Sequence, residues 1–382
     1  MSLTATPVLD GSRIRSVDVE LRYPSRQEGL TFFEGVESRP ESLLPKDVRS
    51  LFYAVSFRSD RVVLSKDVLG SKPLYYNSDL QISSFKRFVP NHREVLPGEY
   101  VEVGYDGEII RQEIFSVDDV FERMEFDEKE AEERIVSSLE KVRVKNACIS
   151  FSGGVDSSFL THFYDVPLIS VTASKAEEER IRETARLLGR EVEILRFDEE
   201  VVRKVLVDVV RAIENTNPLQ VSIAVPIYLA MSHAKRMGFD EIIFGQGADE
   251  LFGGYKRYEN MIGKNLERAI EEDVRNLGVN NLVRDHKLSY VNEIRLIAPY
   301  LHFDVIETAL SIPPSLKVYR GEGGVVRKYF LREVASRYIP REVAYRGKKA
   351  IQYSTNTYKI LERIAKSSGE SLQDFLKGLR WR

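Results

Sequence analysis

A single cysteine, Cys148, occurs in the 382 residues, so no intrachain disulfide and no multi-cysteine metal centre can form. Such sparse cysteine fits a reducing compartment. No apolar run reaches the roughly 18–20 residues that a bilayer-spanning helix needs, and the first residues lack the apolar stretch of a secretory signal. The expectation is a cytoplasmic protein. An excess of one charge is missing too: 56 basic residues against 59 acidic ones leave a formal net of −3, with no block of like charge. That balance speaks against a nucleic-acid partner. Internal repeats and low-complexity tracts are absent. What is present is a 43% hydrophobic chain, enough for more than one core and long enough for two or three domains.

The first ~115 residues read as β-rich. Short apolar runs, Leu51 to Phe57, Arg61 to Ser65 and Tyr100 to Val103, alternate with turn signals such as Asp106-Gly107. An acidic stretch over 116–130 marks a linker. Beyond it, 131–382 forms a second domain that opens on a helix from Ala131 to Val144. Strands at Ala147–Phe151, Pro167–Ala173, Glu191–Phe197 and Glu241–Phe244 then alternate with helices. Those are expected at Glu177–Leu188, Glu199–Asn215 and Ser222–Met237. This alternation predicts an α/β fold with a doubly wound parallel sheet, followed after Tyr255 by a mostly helical C-terminal part.

The informative segment is Ser152-Gly153-Gly154-Val155-Asp156-Ser157-Ser158, which follows the apolar strand Ala147 to Phe151 and opens a helix. Glycines let the backbone turn tightly and approach a ligand closely. The helix start adds unpaired N–H groups and the positive end of a dipole, so the segment is suited to phosphates. The bare Ser-Gly-Gly also fits a capped turn with no ligand. The spacing differs from the loop that ends in Gly-Lys-Ser/Thr: no lysine is present and an aspartate stands instead. A carboxylate beside a polyphosphate is repulsive unless a cation lies between, so Asp156 implies Mg²⁺. A second cluster, Gly245-Gln246-Gly247-Ala248-Asp249-Glu250-Leu251-Phe252-Gly253-Gly254-Tyr255, also follows a strand. It supplies Asp249 as a second carboxylate for that ion.

These segments together resemble the synthetase domain of asparagine synthetases and the related β-lactam synthetases. Pro226-Ile227-Tyr228-Leu229, Pro299-Tyr300-Leu301, Leu310 to Lys317, Arg327 to Glu333, Tyr338 to Val343 and Arg346-Gly347-Lys348-Lys349 follow the family order across about residues 130–355. The resemblance implies ATP with its phosphates on Ser152, Gly153, Gly154 and Ser157. Val171, Gly245 and Gln246 would line the nucleotide site, and Asp156 and Asp249 would hold Mg²⁺. Lys328, expected on an amphipathic helix, and Lys348 would neutralise the phosphates. It further implies that a carboxylate, aspartate by default, attacks the α-phosphorus to give an acyl-adenylate and pyrophosphate. Ammonia or an amine then displaces AMP. The family also suggests a homodimer.

The N-terminal part resembles the family's glutaminase domain through Ser65 to Tyr76 and Leu96-Pro97-Gly98-Glu99-Tyr100. That activity needs an N-terminal cysteine, and none lies near this N-terminus. The Arg-Gly-Pro-Asp and Asn-Gly-Glu segments that bind glutamine are missing as well. The expectation is a degenerate glutaminase-like domain that does not hydrolyse glutamine, with ammonia free or delivered by a partner glutaminase. Two further departures stand in the synthetase part. Gln246 replaces a glutamate, and Ile297-Ala298-Pro299-Tyr300-Leu301-His302 replaces Arg-Val-Pro-Phe-Leu-Asp. They leave open a different carboxylate acceptor, an intramolecular lactam-forming reaction, or a degenerate ATP-binding sensor. RNA thiolation, which uses related loops, is disfavoured by the lone cysteine and the net charge.

Overall fold

The computed structural model describes residues 2–11, 13–347, 351 and 355–379. The chain divides into two compact units, Met1–Met124 with Glu271–Glu293, and Glu125–Ile270 with Ile294–Arg382.

Two antiparallel sheets build the first unit. Its strands are β1 (Leu3–Asp10), β2 (Arg13–Leu21), β3 (Arg26–Glu28), β4 (Thr31–Glu34), β5 (Tyr53–Phe57), β6 (Arg61–Lys66), β7 (Tyr75–Tyr76), β8 (Ile82–Ser83), β9 (Arg93–Glu94), β10 (Glu99–Gly104) and β11 (Ile109–Ile114). One sheet has the order β2-β1-β8-β7-β9, the other β11-β10-β6-β5-β4-β3. The period of two along a strand sorts the side chains between two cores. Tyr53, Val55, Phe57, Val62, Leu64, Val101 and Val103 join Leu3, Ala5, Leu74, Tyr76 and Ile82 from the other sheet. The alternate residues Ala54, Val63 and Tyr100 turn to the opposite face and meet Leu43, Val48 and Phe52.

The segment Glu271–Glu293 is built into this unit through helix α8 (Val283–Val291). Lys72 Nζ lies 3.2 Å from His286 Nε2, Lys287 Nζ donates to the Tyr75 phenol at 3.1 Å, and the Tyr290 phenol donates to Glu34 at 2.7 Å. Buried hydrogen bonds to charged groups contribute about 1.5–3 kcal/mol each, so α8 is fastened here by polar contacts as well as by packing. The sequence after Tyr255 reads as mostly helical and gives no sign of this excursion.

The second unit carries a parallel sheet of β12 (Ala147–Ser150), β13 (Leu168–Thr172), β14 (Val192–Arg196), β15 (Glu241–Ile243) and β16 (Arg295–Ile297). Their order is β14-β13-β12-β15-β16. The chain therefore builds outward from β12 in one direction and then restarts on its other side with β15. Helix α1 (Glu128–Lys141) leads into β12, and α2 (Val155–Phe163), α3 (Lys175–Leu187), α4 (Glu199–Ile213) and α5 (Pro218–Arg236) connect the strands up to β15. They are followed by α6 (Ala248–Leu251), α7 (Gly263–Arg275), whose residues from Glu271 onward belong to the first unit, α9 (Phe303–Ser311), α10 (Pro314–Lys317), α11 (Tyr329–Ala335) and α12 (Arg341–Ala344). A hairpin of β17 (Val318–Gly321) and β18 (Gly324–Arg327) precedes α11.

Capping fixes the helix starts. Asp127, Ser174 and Asp198 each accept a backbone N–H from the first turn of α1, α3 and α4. Helix α5 begins earlier than the apolar pattern predicts, at Pro218 rather than Ser222. Asn217 caps it and Pro218 occupies its first turn, the position where a missing N–H costs nothing. Strand β16 is too short, at three residues, to show any periodicity in sequence. Among the described residues, no helix is long and apolar enough to cross a membrane.

Candidate active site

In an open parallel sheet, ligands bind outside the carboxyl ends of the strands, where the strand order reverses. Here that point lies between β12 and β15, and the two glycine-rich segments leave the sheet there. They touch: a Cβ on Gly245 would stand 2.8 Å from Asp156 Cβ, so only glycine permits this approach.

The first loop folds on its own polar groups. Ser152 N–H donates to Ser157 Oγ at 3.1 Å, and the two hydroxyls lie 3.1 Å apart. Gly153 takes φ +67°, and Gly154 precedes α2 with no side-chain cap. The opening N–H groups of the nine-residue helix α2 thus face the loop without a capping side chain. Arg180 of α3 donates to the Ser152 carbonyl at 2.9 Å and pairs with Glu177 at 2.6 Å. Two buried polar atoms beside the loop, Ser158 Oγ and Arg180 Nη1, have no hydrogen-bond partner among the described residues. Buried orphan polar groups are rare in folded proteins.

Asp156 is buried on the first turn of α2. Its carboxylate accepts from Lys328 Nζ at 2.7 Å, and Asp249 lies 2.6 Å from the same ammonium. The two carboxylates therefore converge on one cation position. Asp249 is more open, with 36% of its side chain exposed against 3% for Asp156. Among the described residues, no group of three or more His, Cys, Asp or Glu is arranged to hold a metal by itself. Two converging carboxylates fit Mg²⁺ when phosphate oxygens and water complete the shell.

Lys328 departs from its predicted place on a helix. It precedes α11 with φ +55° and ψ +33°, in the left-handed region. This turn directs its side chain back toward Asp156. Gly254 makes room: a Cβ there would lie 1.9 Å from Asp249 Oδ1 and 2.2 Å from Lys328 Cε.

Behind Asp249, Glu250 is buried and accepts a hydrogen bond from the Tyr255 phenol. Burial, and secondarily the charge of Asp249, push its carboxyl up to about 7. Tyr300, just beyond β16, donates to the Asp156 carbonyl at 2.9 Å. Burial, reinforced by the charge of Asp156, holds that phenol well above its ordinary value.

Of the residues singled out in sequence, the structure brings Ser152, Gly153, Gly154, Asp156, Ser157, Gly245, Asp249 and Lys328 to the ends of β12 and β15. Gln246 lies in the same second loop, and Val171 is buried near the end of β13, the neighbour of β12. Lys348 lies outside the described residues. Arg180 was not legible: nothing in its helical setting distinguishes it from the other surface arginines of α3. Tyr300 carried only the faint signal of a Pro-Tyr-Leu motif.

A family model described as asparagine synthase matches residues 141–270 and 261–375. The chain is 32% identical over 288 residues to a Methanocaldococcus jannaschii protein provisionally named asparagine synthetase (glutamine-hydrolyzing) 1, covering 64% of this chain and 53% of that one. It is 26% identical over 381 residues to asparagine synthetase B (glutamine-hydrolyzing) of Escherichia coli, covering 88% and 66%. The chain thus spans about half to two thirds of the length of these relatives. A solved NMN synthetase from Francisella tularensis aligns at TM-score 0.25 and 11% identity over 49% of this chain and 94% of that one, too slight a likeness to carry any argument.

Proposed function

We infer, from the premise that this chain belongs to the asparagine synthase family, that it is an ATP-dependent, AMP-forming ligase that makes an amide bond from a carboxylate. The observation that carries the reading is the convergence of Asp156 and Asp249, from the two loops at the reversal point of the sheet, on a single cation position.

In this reading ATP lies with its phosphates over Ser152, Gly153, Gly154 and Ser157, at the start of α2. Val171, Gly245 and Gln246 line the nucleotide. A carboxylate oxygen of the acceptor attacks the α-phosphorus, the bond to the bridging oxygen breaks, and pyrophosphate leaves. Ammonia or an amine then attacks the acyl carbon, loses a proton, and releases AMP. Asp156 and Asp249 would hold Mg²⁺, which when bound supplies charge neutralisation on the departing pyrophosphate. Lys328 and Lys348 add positive charge at the phosphates. Phosphoryl-type displacements depend on positioning and electrostatics more than on covalent help. Fixing the two reactants together accounts for about 7–11 kcal/mol of barrier lowering.

Aspartate is the default acceptor. Gln246, where the family carries a glutamate, favours a second reading in which the acceptor is another carboxylate, because an amide cannot act as a base or an anionic anchor. The first unit is a glutaminase-like domain that does not hydrolyse glutamine. Its support is that Cys148, the only cysteine of the chain, is buried with its thiol pushed up to about 12. Ammonia is then free or comes from a partner glutaminase. The protein works in the cytoplasm as a homodimer without nucleic acid.

The test is amine-dependent pyrophosphate release with a panel of carboxylates that includes aspartate. Release is expected with at least one acceptor and lost in Asp156→Asn, with circular dichroism unchanged. Tight ATP binding without release for any acceptor would replace the ligase with a sensor.

A further inference from the structure

Lys328 holds a costly position. A non-glycine residue in the left-handed region is strained and persists where its surroundings over-determine it. Lys328 is in that region at φ +55°, and its side chain is only 4% exposed. A buried ammonium without a partner is strongly unfavourable, and two carboxylates within 2.7 Å compensate it. Gly254 keeps open the slot through which the side chain reaches them. The ammonium therefore fills the point on which Asp156 and Asp249 converge, the point a divalent cation shared by both would need. Two cations cannot occupy it together.

We infer that Lys328 is a built-in stand-in cation that bridges Asp156 and Asp249 in the nucleotide-free protein and bars divalent metal until a triphosphate arrives. This rests on the adenylating reading of the site. A lysine leaving these carboxylates needs other anions, and the phosphate oxygens of the nucleotide supply them. Once its ammonium moves to the phosphates, it no longer occupies the position between the two carboxylates. Exchange proceeds from the side of Asp249, which is 36% exposed, because Asp156 is closed off at 3%. Entry is ordered as a result: the divalent cation comes with the nucleotide and not before it.

The probe is Mn²⁺, with the free ion followed by electron paramagnetic resonance on the full chain. Without nucleotide the natural protein binds Mn²⁺ weakly. Lys328→Met and Lys328→Gln tighten that binding by about tenfold or more, within the 5- to 150-fold range typical of coupled sites. Asp156→Asn in the Lys328→Met background removes the gain. The inference is overturned if the natural protein binds Mn²⁺ alone as tightly as it does with a non-hydrolysable ATP analogue. It is equally overturned if the gain in Lys328→Met survives Asp156→Asn. Circular dichroism verifies the fold of each variant, and the two substitutions at Lys328 guard against one failing to fold. Pyrophosphate release is not the readout. A chain that shows ordered Mn²⁺ entry but makes no amide keeps the lysine role and loses the ligase reading, whereas one that releases pyrophosphate yet binds Mn²⁺ alone does the reverse.

Discussion

The phenol of Tyr300 donates a 2.9 Å hydrogen bond to the backbone carbonyl of Asp156, 144 residues earlier in the chain. This ties the segment after β16 to the first turn of α2, so the placement of Asp156 depends on a strand that is distant in sequence. Tyr300→Phe keeps the ring and its packing against Phe252 and removes only the donor. It should lower stability by about 0.5–1.5 kcal/mol and slow pyrophosphate release without abolishing it. Urea denaturation and release kinetics on the same preparation check both effects. An unchanged midpoint would show that the bond contributes nothing.

Gly254→Ala should be more damaging than its size suggests. The added methyl carbon would stand 1.9 Å from Asp249 Oδ1 and 2.2 Å from Lys328 Cε, so both groups must move. A loss of about 10²–10³ in turnover is expected, the size seen when one well-placed electrostatic group is removed. Gly323→Ala is the matched control, with nothing within 4 Å of its new carbon, and should stay within about 0.5 kcal/mol of the parent. Equal effects from the two substitutions would dismiss the slot.

Glu250 gives the second unit a pH dependence of stability. Its carboxyl is raised from 4.5 to about 7 in the fold, so the folded state holds the proton more tightly than the unfolded chain does. The stabilisation from this group is fully present below about pH 4.5 and is lost as pH rises through 7. Over that window it amounts to roughly 3 kcal/mol. Glu250→Gln mimics the protonated form and should gain on the parent protein as pH rises from about 5 to 8. Denaturation curves at several pH values measure this, and parallel curves for the two proteins would refute it.

Cys148 lies in the centre of the parallel sheet, where burial pushes its thiol up to about 12. The thiolate is the reactive form, so folded protein at neutral pH should not react with a disulfide reagent and should release one equivalent after denaturation. Cys148→Ala should cost about 1–2 kcal/mol from lost packing while leaving pyrophosphate release intact. Rapid labelling of the folded protein would show that the strand is open.

Much of the second unit is legible because its signals are local. The apolar run before Ser152 and the glycines ahead of α2 and α6 each act within a few residues. The caps at Asp127, Ser174 and Asp198 are equally local, although the apolar pattern placed the starts of α1 and α3 two or three residues late, at Ala131 and Glu177 instead of Glu128 and Lys175. Such features decide helix starts, strand ends and the presence of a glycine-rich strand-to-helix loop before any tertiary contact forms. Asn217-Pro218 carried the same kind of signal for the start of α5, and apolar periodicity masked it.

Tertiary structure alone decided the rest. Residues 271–293 join the first unit because Tyr290, His286 and Lys287 find Glu34, Lys72 and Tyr75, partners more than 200 residues away in sequence. Strand β16 exists because β15 offers it an edge, since three residues have too little periodicity to declare themselves. Asp156 and Asp249 could be named as carboxylates from the sequence. That they meet at one point, and that Lys328 fills it from 172 residues beyond Asp156, follows from the packing of two loops across the reversal of the sheet. Residue chemistry fixes which groups can bind a phosphate or a cation, and only the fold fixes the distances between them.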